Sequence, residues 1–126
     1  MLPLHPRTRS RLLGNGINVP ENVQLIDPVG YLDMVMLEQS ALLIATDSGG
    51  VQKEAFFYKV PCVTLREETE WTELLEVGWN RLSPPDSAQN ILGAMESAIN
   101  TRGNALNVYG DGTAADRIAS QLMQTE

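Results

Sequence analysis

Short apolar runs alternate with amphipathic segments along the whole chain. Strands are predicted at residues 23–26, 41–45, 60–65 and 79–82, and helices at about residues 31–40, 51–58, 69–77, 86–100 and 113–123. The run from Ala41 to Ala45 is continuously apolar, which is typical of a strand buried on both faces of a sheet. Asp86 is the expected N-cap of the fourth helix. Alternation of strands and helices predicts an α/β fold with a parallel sheet.

The opening residues, Leu2 to Arg9, resemble the tail of a strand that runs into a loop and a basic helix. The length of 126 residues is that of one domain. A doubly wound domain normally has more sheet before such a point. We therefore expect residues 1–126 to be a single domain portion whose first strand lies outside this chain.

Composition excludes several classes of function. With 9 Lys and Arg against 16 Asp and Glu, the net charge of −7 argues against general nucleic-acid binding, which needs a basic surface. The single cysteine, Cys62, suits a reducing cytoplasm, and one histidine with one cysteine is too little for a zinc site. No apolar run approaches the length of a membrane span, and the start of the chain lacks a signal-peptide core. We expect a cytoplasmic protein without a metal site or membrane contact.

The segment IATDSGGVQKEA, from Ile44 to Ala55, places Ser48 between an acid and two glycines directly after an apolar run. A chymotrypsin-like nucleophile does not fit, because the context is strand–turn–helix and the only histidine, His5, is far upstream. A nucleophile elbow of the G-x-S-x-G type does not fit either, since one of its glycines is Thr46 here. Ser48 is therefore not expected to act as a nucleophile.

An anion-binding turn fits the same segment better. The start of a helix presents unpaired backbone N–H groups, Gly49 and Gly50 allow a phosphate to approach closely, and the Ser48 hydroxyl can donate one more hydrogen bond. Open α/β sheets bind ligands at the carboxyl ends of their strands, where this turn lies. Glu54, one turn further on, is placed to accept hydrogen bonds from ribose hydroxyls. The alternative, that Ser48 only caps the helix and the glycines only turn the chain, stays open at this point.

Five segments together resemble the non-hydrolysing UDP-N-acetylglucosamine 2-epimerases. They are HPRTR at 5–9, DPVGYL at 27–32, TDSGGVQKEA at 46–55, REETE at 66–70 and YGDGTAADRI at 109–118, with Pro61 and Gly78 between them. The matches are collinear across nearly the whole chain. The resemblance implies a Rossmann-like parallel sheet with flanking helices, as in the C-terminal, UDP-binding half of a GT-B-type two-domain fold. It also implies that the N-terminal domain, with its proton-transfer groups, is not in this chain, so that the chain alone is inactive.

The family interconverts UDP-GlcNAc and UDP-ManNAc by eliminating and re-adding UDP, and the resemblance implies no cofactor. It implies that UDP is held by six residues: Ser48, Gly49 and Gly50 at the diphosphate, Glu54 at the ribose, and Val29 and Met34 at the uracil. His5 is the candidate catalytic residue, near the phosphates. Gln52 and Arg66 are expected to support the loop without touching the ligand.

One departure from the family pattern is Trp71-Thr72, where many members have an arginine and a proline. The resemblance implies that this arginine contacts the ligand, so one positive charge toward UDP is missing here. Two other hypotheses stand beside the epimerase. The chain is a non-catalytic remnant that acts as an interaction or scaffold protein, or it is the nucleotide-sugar-binding half of a GT-B glycosyltransferase. An apolar sheet edge left by a missing strand favours self-association, so a homo-oligomer is expected.

Overall fold

A computed structural model describes residues 1–105 and 107–124. Residue 106 and residues 125–126, which the predicted domain includes, lie outside these ranges. Contacts divide the chain into two compact units, Met1–Ser40 and Ala41–Glu126, which are described separately. In both units strands alternate with helices and the paired strands are parallel, so the predicted α/β class is confirmed.

The first unit is a short β–α–β–α arrangement. Its elements are β1 (Leu2–Pro3), α1 (Pro6–Gly14), β2 (Leu25–Ile26) and α2 (Tyr31–Gln39). The two strands run parallel, with Leu2 opposite Leu25 and Pro3 opposite Ile26. The opening residues therefore form the strand and basic helix that the sequence indicates.

The second unit has a three-stranded parallel sheet in the order β3-β4-β5. Its elements are β3 (Ile44–Thr46), α3 (Gly49–Tyr58), β4 (Cys62–Thr64), α4 (Thr72–Glu76), β5 (Asn80–Leu82), α5 (Ala88–Ala98) and α6 (Ala114–Met123). Ile44 lies opposite Cys62, and Cys62 lies opposite Asn80. A core of Ile44, Ala55, Val60 and Cys62 packs α3 against the sheet. This packing fixes where the N-terminus of α3 lies relative to the strand ends.

The prediction of a fully buried strand at residues 41–45 is wrong in extent and in burial. The strand begins at Ile44, Ala45 is exposed, and the Leu42 side chain before it is 78% exposed. The reason is that β3 lies at one edge of the described three-stranded sheet, whereas β4 has a neighbour on each side. All three residues of β4 are buried, as expected for the central strand of a parallel sheet.

Three helix starts also differ from the prediction. The helix predicted from residue 51 begins at Gly49. Ser87, not Asp86, is the N-cap of α5: the Ser87 hydroxyl accepts a hydrogen bond from the Asn90 N–H at 3.1 Å. The Asp86 carboxylate instead accepts from the Asn90 side-chain amide. The helix predicted from residue 69 begins only at Thr72, because Thr69 Oγ1 accepts from the Trp71 N–H and holds a turn there.

Candidate functional site

The carboxyl ends of the three strands meet at one edge of the sheet in the second unit. Ser48 comes two residues after the end of β3, and Arg66 comes two residues after the end of β4. Backbone hydrogen bonds join the last residue of each strand to the residue that follows the next strand. They run from Leu65 N to Thr46 O at 2.8 Å and from Ser83 N to Thr64 O at 2.9 Å. The fold therefore brings the start of α3 and the loop of residues 65–71 to the same edge, where open α/β sheets bind ligands.

Ser48 occupies the N-cap position of α3, yet its hydroxyl makes no capping hydrogen bond. The residue is exposed, with extended backbone angles of φ −84° and ψ 127°. The first helical bond is long, from Gln52 N to Ser48 O at 3.4 Å, and the N–H groups before it have no acceptor within the helix. The hydroxyl and the first N–H groups of α3 thus form a set of donors at a positive helix end.

The two glycines of this turn have different surroundings. A side chain at Gly49 would collide with the Glu70 carboxylate and would lie 3.4 Å from Trp71 Nε1. The indole N–H of Trp71 also donates to the Gly49 carbonyl at 3.0 Å. At Gly50 the nearest atom to an added Cβ is Ser48 Oγ, at 3.9 Å. Gly49 is therefore in close contact with the loop, whereas Gly50 faces open space.

A buried polar network supports the α3 start from below. Gln52 is fully buried, and its Oε1 accepts from Thr69 Oγ1 at 2.6 Å and from Asn80 Nδ2 at 3.0 Å. Its Nε2 donates to the Ser48 carbonyl at 3.4 Å. Asn80 Oδ1 in turn accepts from Thr64 Oγ1 at 2.9 Å. These bonds tie the turn at Ser48 to β4, β5 and the loop, because buried polar groups are costly to leave unpaired.

Glu54 and Lys53 lie about one turn into α3. Glu54 is half-buried and is four residues from Gly50, so the two share one face of the helix. The Lys53 ammonium lies 3.6 Å from the centre of the Trp71 ring and 4.8 Å from that of Tyr109. Such cation–π contacts are worth about 0.5–1 kcal/mol at exposed sites. Lys53 therefore places a positive charge beside Trp71, the position at which the family resemblance implies an arginine.

Arg66 and Glu70 form an ion pair next to the α3 start. Arg66 Nη1 donates to Glu70 Oε2 at 3.0 Å, and the two side chains are 37% and 48% exposed. A hydrogen bond to the Glu70 backbone, and then the Arg66 charge, hold the pKa of the Glu70 carboxyl below its ordinary value against the opposing effect of burial. Glu70 consequently stays ionised at neutral pH, close to the positive end of α3.

Tyr109, in the segment before α6, packs against aromatic rings of α3 and against Trp71. Its ring lies 5.5 Å from Phe56, 5.6 Å from Phe57 and 6.4 Å from Trp71, centre to centre. Burial, and then the neighbouring Glu73 carboxylate, raise the pKa of the Tyr109 phenol well above its ordinary value. The interaction with the Tyr109 hydroxyl in turn lowers the pKa of Glu73. Tyr109 is therefore a neutral phenol close to an ionised carboxylate.

The remaining predicted site residues lie in the first unit. His5 is the N-cap of α1, where its Nδ1 accepts from the Arg7 N–H at 3.2 Å, so the neutral ring carries its proton on Nε2. Val29 and Met34 are half-buried, and Met34 N donates to Gly30 O in the first turn of α2. His5 follows β1 and Val29 follows β2. Because these strands are parallel, both residues lie at the same edge of their sheet.

Nothing in the local sequence indicates the positions of Glu70, Lys53 and Trp71 relative to Gly49. Glu70 is part of the REETE match and Lys53 resembles an ordinary helix-surface lysine. The one available signal is Gly49 itself, since a glycine at a helix start can mark the close approach of another segment. Which segment approaches is visible only in the fold.

Within residues 1–105 and 107–124, no group of three or more His, Cys, Asp and Glu side chains is arranged to hold a metal ion. No helix among these residues is long and apolar enough to cross a membrane.

The fold and the donors at the start of α3 define an α/β protein with a candidate anion site, and comparison with known proteins identifies the family. The family model for UDP-N-acetylglucosamine 2-epimerase matches residues 1–123. The chain belongs to this family, and the match falls on the C-terminal portion of its members. The family and fold predicted from the sequence are thereby confirmed.

Two curated relatives and one solved structure illustrate the similarity. The UDP-2,3-diacetamido-2,3-dideoxy-D-glucuronate 2-epimerase of Pseudomonas aeruginosa is 48% identical over 126 residues, which cover 97% of this chain and 34% of the relative. The UDP-N-acetylglucosamine 2-epimerase of Methanocaldococcus jannaschii is 44% identical over 123 residues, covering 94% of this chain and 33% of the relative. The crystal structure of the M. jannaschii enzyme in complex with UDP-GlcNAc and UDP has a TM-score of 0.81 and 43% identity, covering 96% of this chain and 34% of that one. The chain spans about a third of the length of these relatives.

Proposed function

We propose that residues 1–126 are the UDP-binding domain portion of a UDP-N-acetylglucosamine 2-epimerase. The observation that carries the proposal is the start of α3, where the Ser48 hydroxyl makes no cap bond and Gly50 faces open space. Within a family that includes a relative with UDP-GlcNAc and UDP bound, such a set of donors suits a diphosphate.

The diphosphate is bound by the Ser48 hydroxyl and the N–H groups of Gly49 and Gly50. These donors are fixed before the ligand arrives, because Gln52 and Trp71 hold the turn from two sides. In the elimination step the C1–O bond of the sugar breaks and UDP leaves with an additional negative charge. Preorganised N–H groups at a helix start stabilise a leaving group of this kind.

The ribose and uracil are assigned to residues flanking this turn in the sequence. Glu54 accepts hydrogen bonds from the ribose hydroxyls, since it is half-buried on the same helix face as Gly50. For the first unit the support is the family match: Val29 and Met34 contact the uracil, and His5 uses Nε2–H toward a phosphate oxygen. The Nδ1 of His5 is already engaged by its cap bond, which leaves Nε2 as the donor.

The chain by itself is proposed to bind UDP and UDP-GlcNAc weakly, without a cofactor, and to give no epimerisation. Proton removal and return at C2 of the sugar require positioned acid and base groups, which the family resemblance assigns to the N-terminal domain. The proposed setting is the cytoplasm, as the composition indicates. Appearance of UDP-ManNAc from UDP-GlcNAc with the purified 126-residue chain would contradict this part of the proposal.

The binding site is tested by titrating the 126-residue chain with UDP, followed by calorimetry or NMR. We expect saturable binding that is weakened in Ser48→Ala and in Glu54→Ala. Matched controls are Ser40→Ala and Glu96→Ala, which change exposed residues outside the turn and α3. Absence of saturation at millimolar UDP, or equal weakening by the controls, would refute the assignment.

A role in self-association is a second proposal, supported by the exposed apolar face of α6. Ile118 is 60% exposed and Met123 is 83% exposed, on a helix without buried residues. An apolar surface of this kind favours association with another chain. We propose that the protein is a homo-oligomer, and sedimentation analysis of the wild type against Ile118→Lys checks it. A monomeric wild type would rule it out.

A further inference from the structure

The carboxylate of Glu70 lies against the start of α3. One oxygen, Oε1, is so close to the Gly49 Cα that a side chain at position 49 would collide with it. The other oxygen, Oε2, accepts from Arg66 at 3.0 Å. The side chain is half-exposed and belongs to the loop that the Trp71–Gly49 hydrogen bond attaches to the helix. A negative group of the protein is therefore present where an anionic ligand would approach.

This position has an electrostatic consequence. The first N–H groups of a helix carry a partial positive charge and attract anions, whether these belong to the protein or to a ligand. Glu70 supplies one negative charge at this point, and Arg66 neutralises it only in part because the pair is exposed to water. A phosphate that binds beside Gly50 must therefore approach against the remaining negative charge of Glu70.

We propose that Glu70 is a specificity-determining residue that weakens the binding of ligands at the α3 start in proportion to their negative charge. The inference rests on the proposed UDP site at Ser48, Gly49 and Gly50. Arg66 acts through Glu70: the ion pair reduces the charge that the ligand meets. Glu70 itself is not a ligand-binding residue, and its loss improves binding, in contrast to the loss of Ser48 or Glu54.

The test compares Glu70→Gln with the wild type of the 126-residue chain, using UDP and UMP as probes. Glutamine keeps the size of the side chain and removes the charge. We expect Glu70→Gln to bind UDP about two- to fivefold more tightly, the range typical of one charge near a helix end. UMP carries less negative charge, so its gain should be smaller. Both gains should shrink at high salt, which screens exposed charges.

Glu67→Gln is the matched control, because it removes the same charge from an exposed position in the same loop. It should change the Kd of UDP less than Glu70→Gln does. Arg66→Gln leaves the Glu70 charge uncompensated and should weaken UDP binding, opposite in sign to Glu70→Gln. Thermal unfolding of each variant establishes that the fold is retained.

The outcomes separate this inference from the proposed function. If the wild type does not bind UDP, the UDP site itself is refuted. If the wild type binds UDP but Glu70→Gln binds it equally or more weakly, the UDP site stands and the role of Glu70 is refuted. Equal gains for Glu67→Gln and Glu70→Gln would also overturn the inference, because the effect would then come from the net charge of the protein.

Discussion

The starts of α1 and α3 are built in opposite ways, although both follow a parallel strand by two residues. At α1, the Nδ1 of His5 accepts the Arg7 N–H, and Pro6 at the first helical position has no N–H to satisfy. At α3, Ser48 makes no cap bond and two glycines follow it. At the start of α1 a backbone N–H group is paired with a neighbouring side chain. At the start of α3 the Ser48 hydroxyl and the first backbone N–H groups remain available to a ligand.

This difference shows how a binding function can be separated from helix stabilisation. An N-cap side chain contributes about 1 kcal/mol to stability, and at α3 this contribution is absent. The turn is held instead by Gln52 beneath it and by Trp71 beside it. Support from buried and lateral contacts leaves the Ser48 hydroxyl and the first N–H groups available for a ligand.

Gln52→Leu should remove the support beneath the α3 start. The change leaves Asn80 Nδ2 and Thr69 Oγ1 without their shared acceptor, and one unsatisfied buried group costs about 1–3 kcal/mol. We expect a loss of about 3 kcal/mol in the free energy of unfolding. Denaturant unfolding followed by tryptophan fluorescence measures it. The control Gln39→Leu, at an exposed position in α2, should stay within about 0.5 kcal/mol, and a similar loss there would contradict the role of the network.

Gly50→Ala should raise stability and lower UDP affinity together. Its φ is not positive and the space beside it is open, so alanine should stabilise the helix by about 0.4–1 kcal/mol. The added methyl group intrudes on the proposed diphosphate, and overpacking of about 1–3 kcal/mol corresponds to roughly five- to 150-fold weaker binding. Unfolding and UDP titration are measured on the same sample. Unchanged UDP affinity would show that Gly50 has no contact with a ligand.

His5→Ala and Ser48→Ala should differ in their effects on stability. His5→Ala removes a cap bond and should destabilise α1 by about 1 kcal/mol, visible as faster amide exchange at Thr8 and Arg9. Ser48→Ala removes no cap bond, so amide exchange at the α3 start should be unchanged while UDP binding weakens. Faster exchange at Gln52 in Ser48→Ala would contradict this difference between the two helix starts.

The start of α6 provides the smallest test, through its pH dependence. Asp111 accepts from the Thr113 hydroxyl at 2.6 Å and from the Thr113 N–H at 3.1 Å, and these bonds lower the pKa of its carboxyl. A lowered folded-state pKa stabilises above the unfolded value, near 3.8, and this stability is lost as the pH falls through the folded value. Amide exchange at Thr113 should therefore lose protection at acid pH. An equal loss of protection in Asp111→Asn would contradict this role of the Asp111 carboxylate.

Local patterns predict some elements of this fold well and others poorly. The helix predicted at 51–58 is α3 (Gly49–Tyr58), and the strand predicted at 60–65 is the shorter central strand β4 (Cys62–Thr64). Both follow from hydrophobic periodicity and from the turn residues that flank them. The burial of β3 was predicted wrongly, because an apolar run does not show whether a strand has one neighbour or two. The N-cap of α5 was misplaced by one residue, since Asp86 and Ser87 are both good caps and only the backbone geometry distinguishes them.

The α/β class, the family and the candidate anion site at TDSGGVQKEA follow from the sequence alone, because they depend on the types of residues and their order along the chain. What each residue of that segment faces follows from the fold. Gly49 is packed against Glu70 and Trp71, whereas Gly50 faces open space. Gln52 is buried and accepts a hydrogen bond from Asn80. The physical reason is that parallel strands bring the ends of distant segments to one sheet edge, so the charge and packing around a helix start come from loops that no local pattern connects.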